Sequence, residues 1–142
     1  MNMKALLELG QSVWLDYIRR HLLRTGQLAK LVSDGLHGVT SNPSIFEKAI
    51  AGSTDYTDAI LAMRDRSAGE IYEQLAVDDL RIAADLLRPV YDATGGTDGF
   101  ASIEVSPLLA HDTARTIDEA RRLWRRVDRE NLMVKVPGTP EG

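Results

Sequence analysis

Four strand-like segments that alternate with helical stretches constrain the fold of this chain more than any other feature of its sequence. Strands separated by helices indicate βα units and a parallel sheet, and no two of these segments are joined by a hairpin signal. The pattern therefore predicts an α/β protein. The segments are residues 12–18, 37–42, 99–107 and 131–137.

The residues between these segments carry helical patterns with recognisable ends. Residues 21–35 are predicted to be helical with a break near Gly26, and residues 43–90 are predicted to be mostly helix. Within the second region, Ser67 and Glu70 predict a capping box at the start of a long helix. Pro89 predicts the end of that helix, because proline disrupts a helix interior.

Alternate residues along each strand-like segment fall into two unlike classes. An ordinary parallel sheet is buried on both faces and has continuous apolar runs. Here only one class is aliphatic, which predicts the first half of a (β/α)8 barrel, about four βα units, with a charged constellation inside. The aliphatic class, expected to pack under helices, is Val13, Leu15, Val39, Ala101, Ile103, Val105, Leu132, Val134 and Val136. The polar or otherwise special class is Ser12, Trp14, Asp16, Gly38, Thr40, Asn42, Ser102, Glu104, Ser106, Met133 and Lys135.

Five members of the polar class suggest carbonyl chemistry at the carboxyl ends of the strands. A lone strand lysine usually holds its ammonium in solvent, and the aliphatic neighbours of Lys135 leave a second alternative, a desolvated amine, which is the usual Schiff-base nucleophile toward ketones. Asp16 and Glu104, each more often structural when taken alone, offer a base for a hydroxyl proton and an acid that expels water. Asn42 suits a turn equally well. As site residues, Asn42 and, more weakly, Thr40 would hold a sugar hydroxyl or the lysine.

Composition excludes several other classes of function. The chain has no cysteine, and His21, His37 and His111 share no metal-ligand spacing, so we expect no metal site. No run approaches the roughly 18 apolar residues of a membrane span, and the N-terminus is too polar for a signal peptide. We therefore expect no membrane association and a cytoplasmic location.

A charged helix is predicted at residues 112–130. Its run RRLWRR (121–126) looks basic, but acidic residues are interspersed with it, so a solvated face is favoured. Leu123 and Trp124 are expected to dock this helix on the sheet. The net charge is −4, from 17 basic and 21 acidic residues, which argues against nucleic acid as a main partner.

Four motifs of this sequence carry a resemblance to a known family. GVTSNPSIFEKAI resembles the N-terminal signature of transaldolases, and NLMVKVPGTPEG resembles the Schiff-base lysine signature of that family. SVWLDYIRR and ASIEVSP resemble its first and third strand motifs. The resemblance covers essentially the whole chain. The residues of SVWLDYIRR are similar to the corresponding motif of the longer bacterial transaldolases, including those fused to glucose-6-phosphate isomerase.

The resemblance implies a barrel of the class I aldolase type and a role for each candidate residue. Lys135 would be the Schiff-base lysine, and Asp16 would act on the sugar hydroxyl whose deprotonation breaks the carbon–carbon bond. Glu104 would work through a water during Schiff-base formation and hydrolysis. Thr40 and Asn42 would line the substrate site, with Asn42 holding the dihydroxyacetone moiety.

The implied reaction is the transfer of a dihydroxyacetone unit between sugar phosphates in the pentose phosphate pathway, without a cofactor. Sedoheptulose 7-phosphate and glyceraldehyde 3-phosphate would give erythrose 4-phosphate and fructose 6-phosphate. Two alternatives remain. One is a class I aldolase, such as fructose-6-phosphate aldolase, that releases dihydroxyacetone to water. The other is a non-catalytic half-barrel that pairs with itself or with another chain.

The length of the chain sets a further expectation. A complete (β/α)8 barrel takes at least roughly 200 residues, whereas this chain has 142 and ends after its fourth strand. We therefore expect residues 1–142 to form a single partial domain, the N-terminal part of a barrel, that is poorly active or inactive alone. Strands one and four would present open edges that allow self-association.

Overall fold

A four-stranded parallel sheet forms the centre of the protein, with its strands in the order β1-β2-β3-β4. The computed structural model describes residues 3–142. The strands are Trp14–Leu15 (β1), Gly38–Val39 (β2), Phe100–Glu104 (β3) and Leu132–Lys135 (β4), and all three neighbouring pairs are parallel. Parallel strands in sequence order, each joined to the next by helices, form the first half of a (β/α)8 barrel, as predicted.

The helices after residue 19 occupy the predicted stretches, whereas the short helix at the start of the described chain was not predicted. The predicted break at Gly26 is confirmed: one helix ends at Arg24, and Gly26 adopts a positive φ of 81° before the next begins. No helix in residues 3–142 is both long and apolar enough to cross a membrane. The helices are Met3–Glu8 (α1), Arg20–Arg24 (α2), Gln27–Ser33 (α3), Pro43–Ala51 (α4), Thr57–Ala62 (α5), Ala68–Ala93 (α6) and Thr113–Val127 (α7).

Helix α6 confirms one predicted boundary and corrects the other. The Ser67 hydroxyl accepts from the Glu70 backbone N–H, and the Glu70 carboxylate accepts from the Ser67 N–H at 2.9 Å, which completes the capping box. The prediction that Pro89 ends the helix is wrong, because α6 continues to Ala93. Proline removes one helical hydrogen bond, but Leu87 is fully buried and anchors this part of the helix against the core.

Every strand is shorter than its predicted segment. The ladder between β1 and β2 pairs only Trp14 with Gly38 and Leu15 with Val39, because the chain leaves the sheet soon after these positions. All strand residues nevertheless lie inside the predicted segments. The shortening therefore changes the bounds and leaves the two predicted faces intact.

The aliphatic face of the sheet packs against α6. Leu80, Ala83, Ala84 and Leu87 of this helix are fully buried, and burial of each leucine contributes about 1.5–3 kcal/mol. Five of the nine predicted sheet residues are buried, and three more are partly buried against the same core: Val39, Ala101, Ile103, Val105 and Leu132, then Val13, Leu15 and Val134.

Two predicted core contacts are wrong. Val136 is 45% exposed, because β4 ends at Lys135 and Val136 lies beyond the paired region. Trp124 is 48% exposed, whereas its neighbour Leu123 is buried as predicted. Only one face of α7 can contact the sheet and α6, and consecutive helical residues point about 100° apart, so Leu123 takes that position and Trp124 does not.

Gly38 is constrained by the indole of Trp14 on the adjacent strand. A Cβ atom at Gly38 would overlap ring atoms of Trp14, whose Nε1 donates to the Ser12 hydroxyl at 2.9 Å. We expect Gly38→Ala to lower the free energy of unfolding by about 1–3 kcal/mol, the usual cost of overpacking, as measured by urea denaturation.

Gly69 provides a matched control for that substitution. It lies in the first turn of α6, and a Cβ atom there would meet nothing within 4 Å. Gly69→Ala should leave the stability unchanged or raise it by up to about 1 kcal/mol, since alanine is the better helix former. Equal effects of the two substitutions would contradict the proposed clash with Trp14.

Candidate active site

Lys135 and Glu104 form an ion pair at the carboxyl ends of β4 and β3. The two residues are register partners, so their side chains lie on the same face of the sheet. Lys135 Nζ lies 2.7 Å from Glu104 Oε1. The Lys135 side chain is only partly buried, with 36% of it exposed. The reason is that β4 is an edge strand, and among residues 3–142 it has a neighbouring strand on one side only.

Two hydroxyl groups extend this ion pair across the sheet. Lys135 Nζ donates to Thr40 Oγ1 at 2.9 Å, and Ser102 Oγ donates to the same oxygen at 3.1 Å. Thr40 directly follows β2, and Ser102 lies in the middle of β3. We call these four residues, Lys135, Glu104, Thr40 and Ser102, the lysine cluster. Three neighbouring strands thus contribute to one connected set of polar groups.

The other two candidate residues lie at the same end of the sheet but outside the lysine cluster. Asn42 caps α4, since its Oδ1 accepts from the Ile45 backbone N–H at 2.8 Å. Asp16 follows β1 directly and is exposed. Within residues 3–142, the Asp16 carboxylate makes no hydrogen bond or ion pair. The Asp16 carboxylate therefore remains available to a small molecule beside the lysine cluster, whereas Asn42 Oδ1 is held by the helix cap.

The ion pair lines a cleft of about 210 Å³ between β3 and β4. This volume lies below the roughly 300–1,000 Å³ of typical ligand pockets, so the described residues can enclose only a small group. The lining residues are Glu104, Val105, Pro107, Ala110, Lys135, Val136 and Pro137.

Tyr72 on α6 is a neighbour of Glu104 that the sequence analysis did not identify. Both residues line a second cleft of about 280 Å³ between the sheet, α6 and α7. Burial raises the pKa of the Tyr72 phenol, and the negative charge of Glu104 adds to the effect. The phenol therefore stays protonated near Glu104. No sequence pattern pointed to it, because Tyr72 lies on a helix and its proximity to Glu104 depends on how α6 packs on the sheet.

The geometry of Lys135 suits nucleophilic attack on a carbonyl group. A neutral lysine amine has two N–H groups and one lone pair, and this site offers two acceptors, Glu104 and Thr40. When both N–H groups are directed at these acceptors, the lone pair points away from them. A carboxylate at 2.7 Å can also take the proton that the ammonium must lose.

Among residues 3–142, no group of three or more His, Asp or Glu side chains is arranged to hold a metal ion. His37 instead pairs with Asp98 at 2.8 Å, near the amino ends of the strands. The lysine cluster itself offers an amine, a carboxylate and two hydroxyl groups.

Comparisons with known proteins identify the family of this chain. The family described as transaldolase/fructose-6-phosphate aldolase matches residues 13–142. The chain is 54% identical over 142 residues to a transaldolase of Thiobacillus denitrificans, an alignment that covers 98% of this chain and 40% of that protein. It is 50% identical over 137 residues to a transaldolase of Trichodesmium erythraeum, covering 94% of this chain and 36% of that protein.

A transaldolase of Saccharopolyspora erythraea gives a similar result, with 49% identity over 144 residues, 99% of this chain and 39% of that protein. The chain thus spans about 40% of the length of these curated relatives. The family match includes every strand and all four residues of the lysine cluster. On this evidence the chain belongs to the transaldolase/fructose-6-phosphate aldolase family.

Proposed function

We propose that this chain provides the Schiff-base chemistry of a transaldolase, with Lys135 as the nucleophile. The observation that carries the proposal is the contact of Lys135 Nζ with both Glu104 and Thr40. The substrates would be ketose and aldose phosphates that exchange a dihydroxyacetone unit, as in the sequence-based prediction. We assign the reaction to the pentose phosphate pathway of the cytoplasm, without a cofactor.

The ion pair contains the protons that imine formation needs. The Lys135 ammonium begins with three N–H protons and Glu104 begins as a carboxylate. Attack of the nitrogen on the ketose carbonyl forms the C–N bond, and two protons pass through Glu104 to the carbonyl oxygen. The C–O bond then breaks and water leaves with both protons. The nitrogen keeps one proton in the protonated imine, and Glu104 ends as a carboxylate again.

Asp16 and Asn42 would act on the substrate after the imine has formed. Asp16 would take the proton of a substrate hydroxyl, and the electrons of the adjacent carbon–carbon bond would move to the protonated imine. This step releases an aldose phosphate and leaves an enamine on Lys135. The Asn42 amide would hold a hydroxyl of the dihydroxyacetone unit. The exposure of Asp16 supports such a role, since its carboxylate is accessible to substrate.

A class I aldolase is the second candidate, because the description of the matching family names fructose-6-phosphate aldolase beside transaldolase. The two activities differ in what resolves the enamine. Water releases dihydroxyacetone in an aldolase, whereas a second aldose phosphate accepts it in a transaldolase. The relatives named above are called transaldolases, which favours transfer.

A non-catalytic half-barrel is the third candidate. β1 and β4 are the edge strands of the described sheet, and unpaired edges favour association between chains. In that case the chain would self-associate through these edges and would form no imine at Lys135.

The test compares the chain with a hybrid in which it replaces the matching 40% of the Thiobacillus denitrificans relative. Both proteins are incubated with fructose 6-phosphate and reduced with borohydride, and the adduct is located by peptide mass mapping. We expect an adduct on Lys135 of the hybrid and a weaker one or none on the chain. A hybrid without an adduct on Lys135 would overturn the proposal. Rapid release of free dihydroxyacetone without an acceptor would favour the aldolase instead.

A further inference from the structure

The hydrogen bonds at Thr40 Oγ1 leave only one direction for its own proton. A hydroxyl oxygen has two lone pairs and one O–H. Lys135 Nζ and Ser102 Oγ both donate to Thr40 Oγ1, at 2.9 and 3.1 Å, and together they occupy both lone pairs. The Thr40 O–H must therefore point away from both donors.

Ser102 is too buried to meet a substrate itself. Its relative exposure is 2%, and it lies in β3 between strands on both sides. The Ser41 hydroxyl donates to the Ser102 carbonyl at 2.7 Å, which helps to fix the backbone at this position. Any effect of the Ser102 hydroxyl on the chemistry must pass through Thr40.

We propose that Ser102 is a positioning residue that directs the Thr40 O–H toward the oxygen expelled from the Lys135 adduct. This inference rests on the proposed Schiff-base function. In the carbinolamine, nitrogen and oxygen are bonded to the same carbon, so a hydroxyl that contacts Nζ lies beside that oxygen. The Thr40 O–H donates a hydrogen bond to it and gives up no proton. Glu104 supplies the proton with which the oxygen leaves as water.

The same hydrogen bond strengthens Thr40 as a donor. A hydroxyl that accepts hydrogen bonds is polarised, and its own O–H becomes a better donor. With the Ser102 hydroxyl removed, the Thr40 O–H is free to rotate into the vacated space. Removal of the Ser102 hydroxyl should thus lower the rate at which the adduct loses water and should leave the affinity for the carbonyl compound unchanged.

A double-mutant cycle tests whether Ser102 acts through Thr40. The probe is formaldehyde, which forms an imine without any sugar recognition, with cyanoborohydride in excess as the reductant. Methylation at Lys135 is followed by peptide mass mapping in the full chain, and exposed Lys48 serves as the internal reference. Ser102→Ala should lower the limiting rate at Lys135 roughly tenfold, as the loss of one hydrogen bond would.

The remaining members of the cycle decide the question. Thr40→Val keeps the shape of threonine and removes its hydroxyl, and it should slow methylation at least as much as Ser102→Ala. The double variant should match Thr40→Val within about twofold, because the two hydroxyl groups act as a unit. If the reductions in methylation rate of the two single variants multiply in the double variant, the inference is overturned.

Ser41→Ala is the matched control. Ser41 is also buried, at 1% exposure, and its hydroxyl donates to a backbone carbonyl rather than to Thr40. The Ser41→Ala substitution should lower the free energy of unfolding as much as Ser102→Ala does, and it should leave the methylation rate at Lys135 unchanged. Equal rates in the Ser102→Ala and Ser41→Ala variants would also overturn the inference. Failure of the proposed function would give a different result. The hybrid with the Thiobacillus denitrificans relative would then be methylated normally at Lys135 by formaldehyde and cyanoborohydride but would form no adduct with fructose 6-phosphate.

Discussion

Replacing Lys135 by methionine should abolish the borohydride-trapped adduct with fructose 6-phosphate. Methionine has a similar length and polarizable bulk but no amine, so no C–N bond can form. Transfer of dihydroxyacetone by the hybrid protein should fall by at least roughly 10⁴-fold, the scale of effect that follows removal of a covalent nucleophile. Intact mass before and after reduction measures the adduct, and appearance of the product aldose phosphate measures the transfer.

Lys48→Met is the control for this substitution. Lys48 is exposed on α4, and its loss should leave the adduct unchanged. The ion pair of Lys135 with Glu104 is about one-third exposed on each side, so its loss should cost at most about 1 kcal/mol of stability. An adduct of normal yield in a folded Lys135→Met variant would show that another lysine forms the imine.

The sequence predicted the lysine cluster as far as residue alternation can predict contacts. In a parallel sheet, residues at paired positions point to the same face, so polar residues at the ends of neighbouring strands were expected to meet. This reasoning correctly brought Lys135, Glu104 and Thr40 together. It did not distinguish Ser102 from Ser106, because their roles depend on the register and on which side chain reaches Thr40.

The errors concentrate where the chain lacks neighbours. Val136 and Trp124 are apolar, and the sequence pattern assigned both to the core. The structure exposes them beside β4, an edge strand. Periodicity reports which face a residue occupies, whereas burial also requires a second element on that face. The predicted partial domain, residues 1–142, and the roles of the site residues remain predictions.

Tertiary packing also overrides local preferences in α6. Pro89 lowers the helix propensity, but a long helix with many buried contacts tolerates the loss of one hydrogen bond. The sequence likewise gave no sign of the buried polar contact between α2, Tyr56 and α6. Arg20, Tyr56 and Asp79 lie between 23 and 59 residues apart along the chain in every pairing, and no motif links them.

Asp79→Asn should cause the largest loss of stability of any single substitution considered for this protein. Asp79 is fully buried and accepts from Arg20 Nε and from the Tyr56 hydroxyl, both at 2.8 Å. Burial, together with the negative charge of Asp79, raises the pKa of Tyr56, so this hydroxyl stays protonated and donates. Asparagine keeps the shape but removes the charge, which leaves the Arg20 guanidinium, only 5% exposed, without a counter-ion.

We expect a loss of about 3–5 kcal/mol in the free energy of unfolding, the usual cost of breaking a buried ion pair by removing one partner. Urea denaturation of the chain measures it. Asp85→Asn is the matched control, since Asp85 lies on the same helix and pairs with Arg129 while 56% exposed. That substitution should cost at most about 1 kcal/mol. Similar losses of unfolding free energy for the two variants would mean that water reaches Arg20 and that the contact between Arg20, Tyr56 and Asp79 is not buried in solution.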